Sequence, residues 1–228
     1  DGTLNETISG LMTLPQRPLL GYLPNGSTND FAASLRIPSS VQQAARAVVE
    51  GTPHPLDLGA HNARYFSYVA SFGAFTKASY SASQETKNAL GHFAYILEGI
   101  KNLDSLRPYR CGVEADGESF DGDFIFGGVS NSTSVAGMVR LRKDLVSLGD
   151  GLFETLLIRR PKQFGDLSRI ITGVLNQYYD NENVILVQSK NLRFTFQEPV
   201  AWTRDGEAGG VTTDVRLSNN HAAIHIIA

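Results

Sequence analysis

The chain opens on a pattern that suits an anion: Asp1-Gly2-Thr3-Leu4-Asn5-Glu6. A glycine-bearing loop that leads into a helix points backbone N–H groups at a ligand, and the helix dipole favours phosphate at that end. Gly2 lets a phosphate approach the backbone closely, and Thr3 can cap the helix or bond a phosphate oxygen. Read alone, the same tripeptide is an ordinary turn and N-cap. A second loop-to-helix segment, Pro24-Asn25-Gly26-Ser27-Thr28-Asn29-Asp30, carries another glycine, two hydroxyls and a carboxylate. By itself it reads as an Asx-type helix cap. Near the other end, Trp202-Thr203-Arg204-Asp205-Gly206-Glu207 places an Asp-Gly turn before an acidic residue. Taken singly, Glu207 is an exposed turn residue.

Two further acidic positions stand out. Asp57 sits in the apolar run Pro55-Leu56-Asp57-Leu58-Gly59, where a carboxylate needs a partner. It is either a ligand-directed group or a satisfied strand Asp. Ser147-Leu148-Gly149-Asp150-Gly151-Leu152-Phe153-Glu154 reads as a hairpin turn like Asp116-Gly117 and Asp121-Gly122. The five histidines show no zinc-protease spacing, and His225 reads as a strand residue. Arg140-Leu141-Arg142-Lys143 and Arg159-Arg160-Pro161-Lys162 are basic clusters that fit solvated surface or contact with anionic lipid headgroups.

The elements that must position these groups follow from periodicity. Helices are expected over Asn5–Met12, from Asn29 to Leu35, and over Val41–Val49, the last ended by Gly51. A short buried strand is expected over Leu19–Leu23. From Thr52-Pro53-His54-Pro55 onward strands dominate. Leu56–Gly59 and Tyr65–Ala70 flank a turn at His61-Asn62-Ala63-Arg64. One long helix, roughly Gln84–Leu103, carries an apolar face at helical spacing. Arg107–Ala115 and Glu118–Phe126 flank Asp116-Gly117, a strong hairpin signal. Leu152–Arg159 is a strand and Gln163–Gln177 a helix. Val184–Gln188 and Asn191–Phe196 are expected to form a second hairpin. Val211–Leu217 and Ala222–Ile227 close the chain as strands.

Composition excludes several classes. The 228 residues hold one large domain or two small ones. A net charge of −3 gives no case for nucleic-acid binding, which usually shows a basic face. A single cysteine, Cys111, forms no internal disulfide and no thiolate metal cluster. No apolar run approaches the ~20 residues of a bilayer span. Asn5-Glu6-Thr7, Asn25-Gly26-Ser27 and Asn131-Ser132-Thr133 match the glycosylation triplet, which arises often by chance.

In this order and at these separations, the motifs resemble the bacterial diacylglycerol-kinase catalytic family, the YegS-like lipid kinases. The family motif reads Gly-Gly-Asp-Gly-Thr, an apolar residue, then Asn-Glu. Asp1 to Glu6 keeps all but the two leading glycines, which fall before residue 1. The second loop matches Gly-Thr-x-Asn-Asp-Phe-Ala, with Ser27 keeping the hydroxyl of the usual Thr. The stretches Phe93 to Lys101 and Asp150 to Lys162 look like one bacterial branch of the family.

The resemblance implies an α/β plus mainly-β fold. Residues 1–53 would be the C-terminal part of a three-layer α/β ATP-binding domain, lacking its N-terminal part, with about 218–228 returning to it. Residues 54–217 would be a β-sandwich-like lipid-binding domain with one or two helices. It implies ATP contacts at Asp1, Gly2, Thr3, Leu4, Asn5, Glu6, Gly26 and Ser27. Asp1 and Asp30 would hold a catalytic metal or position ATP. Glu207 would be the base. Mg²⁺ would be held by the Asp150 carboxylate and the Ser147 and Leu152 carbonyls, with Asp57 reaching it through water. The implied substrate is a lipid alcohol, and the implied location is cytoplasmic, peripheral at the inner membrane face. A homodimer remains open. The rivals are an NAD-kinase-like enzyme of the same superfamily and a non-catalytic lipid-binding module. The first fifty or so residues are too few for a complete nucleotide-binding sheet, so this piece alone is expected to bind ATP poorly.

Overall fold

The computed structural model describes residues 2–25, 29–73, 100, 102–135, 139–141, 146–179 and 182–227. The expected helix over Gln84–Leu103 falls almost wholly outside them. Its last residue opens a short 3-10 turn, Leu103–Ser105.

Helix α1 (Gly2–Leu11) begins at the glycine of the opening motif and buries Leu4 and Ile8, four residues apart on one face. Strand β1 (Leu20–Gly21), helix α2 (Asp30–Ser34) and helix α3 (Val41–Glu50, ended at Gly51) complete the first segment. Strands β2 (Pro53–His61), β3 (Arg64–Phe66) and β4 (Val69–Gly73) follow. Then come β5 (Tyr109–Ala115), β6 (Glu118–Ser130), the small pair β7 (Ser134–Val135) and β8 (Val139–Arg140), and β9 (Phe153–Arg159). Helix α4 (Phe164–Asn176) precedes β10 (Val184–Ser189), β11 (Asn191–Arg204) and β12 (Glu207–Ile227). A capping box between Gln163 and Asp166 starts α4, and Leu167, Ile170 and Val174 form its buried stripe.

Ten strands form one sheet, ordered β10-β9-β6-β4-β11-β12-β2-β3, with β1 on β12 and β5 bridging β11 and β6. Because β4 and β5 each pair with both β6 and β11, these four strands close a ring. Its interior is aromatic: Phe72, Phe194, Phe196 and Trp202 pack together with ring centroids 4.9 to 6.4 Å apart. A second core lies between the sheet and α1, α2 and α4, through Ile8, Phe31, Leu58, Ile170 and Ile226. Strand β1 runs parallel to the end of β12, with Leu20 opposite Ile226 and Gly21 opposite Ile227.

Two Asp-Gly hairpins form as the turn chemistry requires. Asp116 and Gly117 join β5 to β6, and Asp205 and Gly206 join β11 to β12. All four residues have positive φ (44° and 102°, 48° and 83°). The expected hairpin between Val184–Gln188 and Asn191–Phe196 does not form. β10 pairs with β9, and β11 pairs with β5 and β12. The intervening Lys190 and Asn191 N–H groups donate to the Asp116 carboxylate instead, which draws β11 toward the β5–β6 turn. Asp121-Gly122 is not a turn either. It lies inside β6 opposite Gly112 and Cys111, and Gly122 leaves room for the Arg159 guanidinium, 2.2 Å from where a Cβ would stand. The two closing strands are one, β12, broken at a bulge between Asn220 and Ile224 where Ala222 takes φ 47°.

Candidate active site

The N-terminus of α1 and the β11–β12 hairpin meet. A Cβ placed on Gly2 would lie 3.6 Å from Glu207 Oε1, the nearest described heavy atom apart from the helix's own backbone and the chain neighbours of Gly2. The glycine therefore leaves an open approach between the first N–H groups of α1, which lack intrahelical partners, and a carboxylate. Asp205 builds this junction. It is buried, and its carboxylate accepts from the backbone N–H groups of Ser67 (2.6 Å), Tyr68 (3.0 Å) and Val69 (3.0 Å) and from Asn5 Nδ2 (2.7 Å). Asn5 also donates to the Tyr65 carbonyl at 3.3 Å. One side chain thus ties α1, the β3–β4 corner and the hairpin carrying Glu207. Burial pushes the Asp205 carboxyl above its usual range, against the pull of its four donors.

The opening motif divides its labour accordingly. Leu4 is buried in the core and Asn5 serves Asp205, whereas Thr3, Glu6 and Glu207 are exposed. The Thr3 carbonyl accepts from Thr7 Oγ1 at 2.8 Å. Asp1, Gly26 and Ser27 lie outside the described residues, and Asp30 is placed as the first residue of α2.

The second site lies under the loop of residues 147–152. Asp57 is fully buried in β2. One carboxylate oxygen accepts from Gly151 N (2.6 Å) and Asn219 Nδ2 (3.3 Å), the other from Ala222 N (2.7 Å), with His221 Nδ1 at 3.0 Å. Its own N–H donates to the Leu148 carbonyl at 2.9 Å, and Asn131 Nδ2 spans the Asp57 and Leu148 carbonyls at 2.8 and 3.3 Å. The segment around Asp150 is therefore a loop stitched to β2 and to the β12 bulge, not the turn of a hairpin. Gly149 presses on the Pro55 carbonyl, 2.8 Å from where a Cβ would stand, and Gly151 takes φ 85°. Asp150 and Ser147 are exposed, Asp150 Oδ1 accepts from Leu152 N (3.0 Å), and the Leu152 carbonyl accepts from Asn219 Nδ2 (3.1 Å).

Beneath this loop Glu154 is fully buried, with Oε1 held by Gln188 Nε2 at 3.2 Å and Oε2 lacking a partner among the described residues. Burial raises its carboxyl to about 8, and the nearby Asp150 and Asp57 carboxylates add to the rise. Among the described residues no three His, Cys, Asp or Glu stand together at ligand spacing. A cation at Asp150 would be held by one carboxylate, carbonyls and water, a donor set that suits Mg²⁺. The sequence pointed to Asp57 as a carboxylate needing partners but not to the partners themselves. Asn131, Asn219 and His221 arrive from just after β6 and from β12, between 74 and 164 residues away.

The basic cluster at Arg159-Arg160-Pro161-Lys162 lines a separate cleft of about 920 Å³ with Arg110, Asp104, Asp121, Asp123 and Glu182. Arg159 lies over the Phe124 ring and donates to the Asp121 carbonyl at 2.8 Å, and Arg160 pairs with Asp104 at 3.3 Å. Its cations are matched by acids, which weakens the case for a headgroup site there.

An N–H-rich helix end facing a carboxylate is a layout for a phosphoryl donor meeting a hydroxyl. The chain is also similar to known proteins. Residues 1–61 match the diacylglycerol kinase catalytic domain. The diacylglycerol kinase of Bacillus subtilis (strain 168) is 34% identical over 229 residues, covering 100% of this chain and 75% of that protein. The diacylglycerol kinase of Staphylococcus carnosus (strain TM300) is 33% identical over 211 residues, covering 92% and 68%. A crystal structure of a diacylglycerol kinase from Bacillus anthracis strain Sterne superposes with TM-score 0.72 at 17% identity, covering 99% of this chain and 72% of the other, which shows the shared fold. The chain belongs to the diacylglycerol kinase family.

Proposed function

We propose that this protein is an ATP-dependent lipid kinase that phosphorylates the hydroxyl of diacylglycerol or a related lipid alcohol. The observation that carries the reading is Glu207 standing across the opening left by Gly2 at the start of α1. Glu207 hydrogen-bonds the acceptor hydroxyl and takes its proton. The hydroxyl oxygen bonds to the γ-phosphorus of ATP while the bond to the β,γ-bridging oxygen breaks and ADP leaves. The first N–H groups of α1 face the phosphates and offset their charge. Asp1 and Asp30 are assigned to positioning ATP or its metal, and Gly26 and Ser27 to its phosphates, on the strength of family membership. Magnesium held by Asp150 and the Ser147 and Leu152 carbonyls would add positive charge beside the cleft, with Asp57 fixing that loop through Gly151.

Residues 1–53 together with the end of β12 are assigned to the nucleotide side and residues 54–217 to the lipid side. The parallel pairing of β1 with Ile226 and Ile227 supports this division. The lipid substrate implies contact with a membrane surface. Among the described residues no helix is long and apolar enough to cross one.

Mass spectrometry of diacylglycerol, other lipid alcohols and NAD incubated with the protein and labelled ATP tests the reading. Labelled phosphate should appear on a lipid alcohol and not on NAD. Glu207→Gln should keep the fold and lower kcat by ~10²-fold or more. Wild-type turnover in that variant would reduce Glu207 to a turn residue.

A further inference from the structure

Between Glu207 and the aromatic interior lies a set of nitrogen atoms with no hydrogen-bond partner among the described residues. Arg204 closes the β11–β12 hairpin directly opposite Glu207, so both side chains leave the same face of the sheet. The Arg204 residue is only 9% exposed. Nη2 donates to the Ala208 carbonyl at 3.3 Å, while Nε, fully shielded from solvent, has no partner among the described residues. Two residues back on the same face, Trp202 Nε1 is also buried and has no partner among the described residues. His61 packs on the Trp202 ring, 5.3 Å between centroids, and its Nε2 likewise has no partner among the described residues.

The charge is as unbalanced as the hydrogen bonding. The nearest acid in sequence, Asp205, spends its carboxylate on three backbone N–H groups and Asn5. No carboxylate among the described residues pairs with Arg204 or with the exposed Arg64, whose positive charge acts on it. Burial first, and then Arg64, hold the Arg204 guanidinium below its usual range, and burial with the Arg204 charge lowers His61 to about 4, so the imidazole is neutral near pH 7. The Asp205 carboxylate pulls the other way on Arg204 but is committed to its own four donors; a buried guanidinium without a paired carboxylate and a buried N–H without an acceptor are both costly. An oxygen-rich anion relieves both at once.

We propose that Arg204 and Arg64 form an anion subsite beside Glu207 that holds the phosphoryl group as it leaves the nucleotide and as it becomes the phosphate monoester of the lipid product. The inference rests on the kinase reading and extends it to residues on the acceptor side. Gly2 and the α1 N-terminus meet the phosphate from one side, and Arg204 with Arg64 meets it from the side of Glu207. A guanidinium matches the oxygens of phosphate with two parallel N–H bonds, which a lysine cannot reproduce.

Titration of the full chain with inorganic phosphate, followed by calorimetry and thermal melting, tests the subsite without turnover. Arg204→Met keeps the aliphatic stem and should lower phosphate affinity about tenfold or more, Arg204→Lys less, and Arg64→Ala least. In turnover assays, Arg204→Met should reduce kcat by about 10²-fold while the KM for ATP stays nearly constant, because the contact forms with the phosphoryl in flight. Micelles of phosphatidic acid, but not of diacylglycerol, should displace the bound phosphate, as should a non-hydrolysable ATP analogue. These arms separate the lipid from the nucleotide as the source of the group. Displacement by neither overturns the proposal, as do unchanged phosphate affinity and kcat in a folded Arg204→Met protein. Arg204-dependent phosphate binding in a protein that phosphorylates no lipid would sink the kinase reading and leave the subsite. Lipid kinase activity with Arg204-independent phosphate binding would do the reverse.

Discussion

Asp57 and Asp205 are two buried aspartates, each reached by four nitrogen groups, yet they hold the molecule in different ways. Asp205 receives three consecutive backbone N–H groups and one amide, so it locks the β3–β4 corner under the hairpin that carries Glu207. Asp57 receives two backbone N–H groups from different segments, one amide and the imidazole of His221, so it gathers the loop around Asp150 and the bulge of β12. The first aspartate fixes a junction on which the core packs. The second anchors a loop whose outer face, Ser147 and Asp150, is exposed. A carboxylate's worth therefore depends on what its donors belong to, more than on how many there are.

The comparison can be broken by truncation. Asp205→Ala leaves three buried backbone N–H groups without an acceptor, takes from Asn5 one of its two acceptors, and should cost on the order of 3–5 kcal/mol, enough to threaten the native state. Urea unfolding measures it. Asp57→Ala frees the Gly151 and Ala222 N–H groups near a loop that can shift toward solvent, so its cost should be smaller, about 2–3 kcal/mol. Equal losses in the two variants would erase the distinction between junction and anchor.

Acid sharpens the comparison on the Asp205 side. His61 is buried, with its imidazole lowered to about 4. In acid the unfolded chain takes up this proton first, near pH 6.5. The contribution of neutral His61 is thus complete above that pH and is lost as pH falls toward 4, at about 1.4 kcal/mol for each pH unit in the window. His61→Phe should flatten the acid limb of a stability–pH curve measured by urea unfolding. An unchanged slope would show that the ring is hydrated in solution.

The smallest effect is expected at the rim of the other site. Asp150 contributes one hydrogen bond, to Leu152 N, from an exposed position. Asp150→Ala should cost at most about 1 kcal/mol without added metal. Mg²⁺ should raise the melting temperature of the wild type, and this variant should lose that rise. A magnesium response identical in the two proteins would remove Asp150 as a ligand.

Local chemistry was readable without coordinates. Asp116-Gly117 and Asp205-Gly206 demand positive φ and turn as hairpins, and Leu167, Ile170 and Val174 repeat at helical spacing. The helix after Gly2 and the unease of a carboxylate at Asp57 were likewise visible, because they depend on neighbours a few residues away. Strand partnership was not. Val184–Ser189 and Asn191–Phe196 have the pattern of a hairpin, yet β10 joins β9 and β11 closes the ring with β4 and β5. A strand's alternation encodes which face is apolar and is silent about which edge it pairs with. For the same reason only the folded sheet could bring Asn219 and His221 onto Asp57, set His61 on the Trp202 ring, or place Arg204 opposite Glu207. Those meetings are set by ring closure and burial across the whole chain, so the sequence by itself named the motifs while the tertiary structure decided what surrounds them.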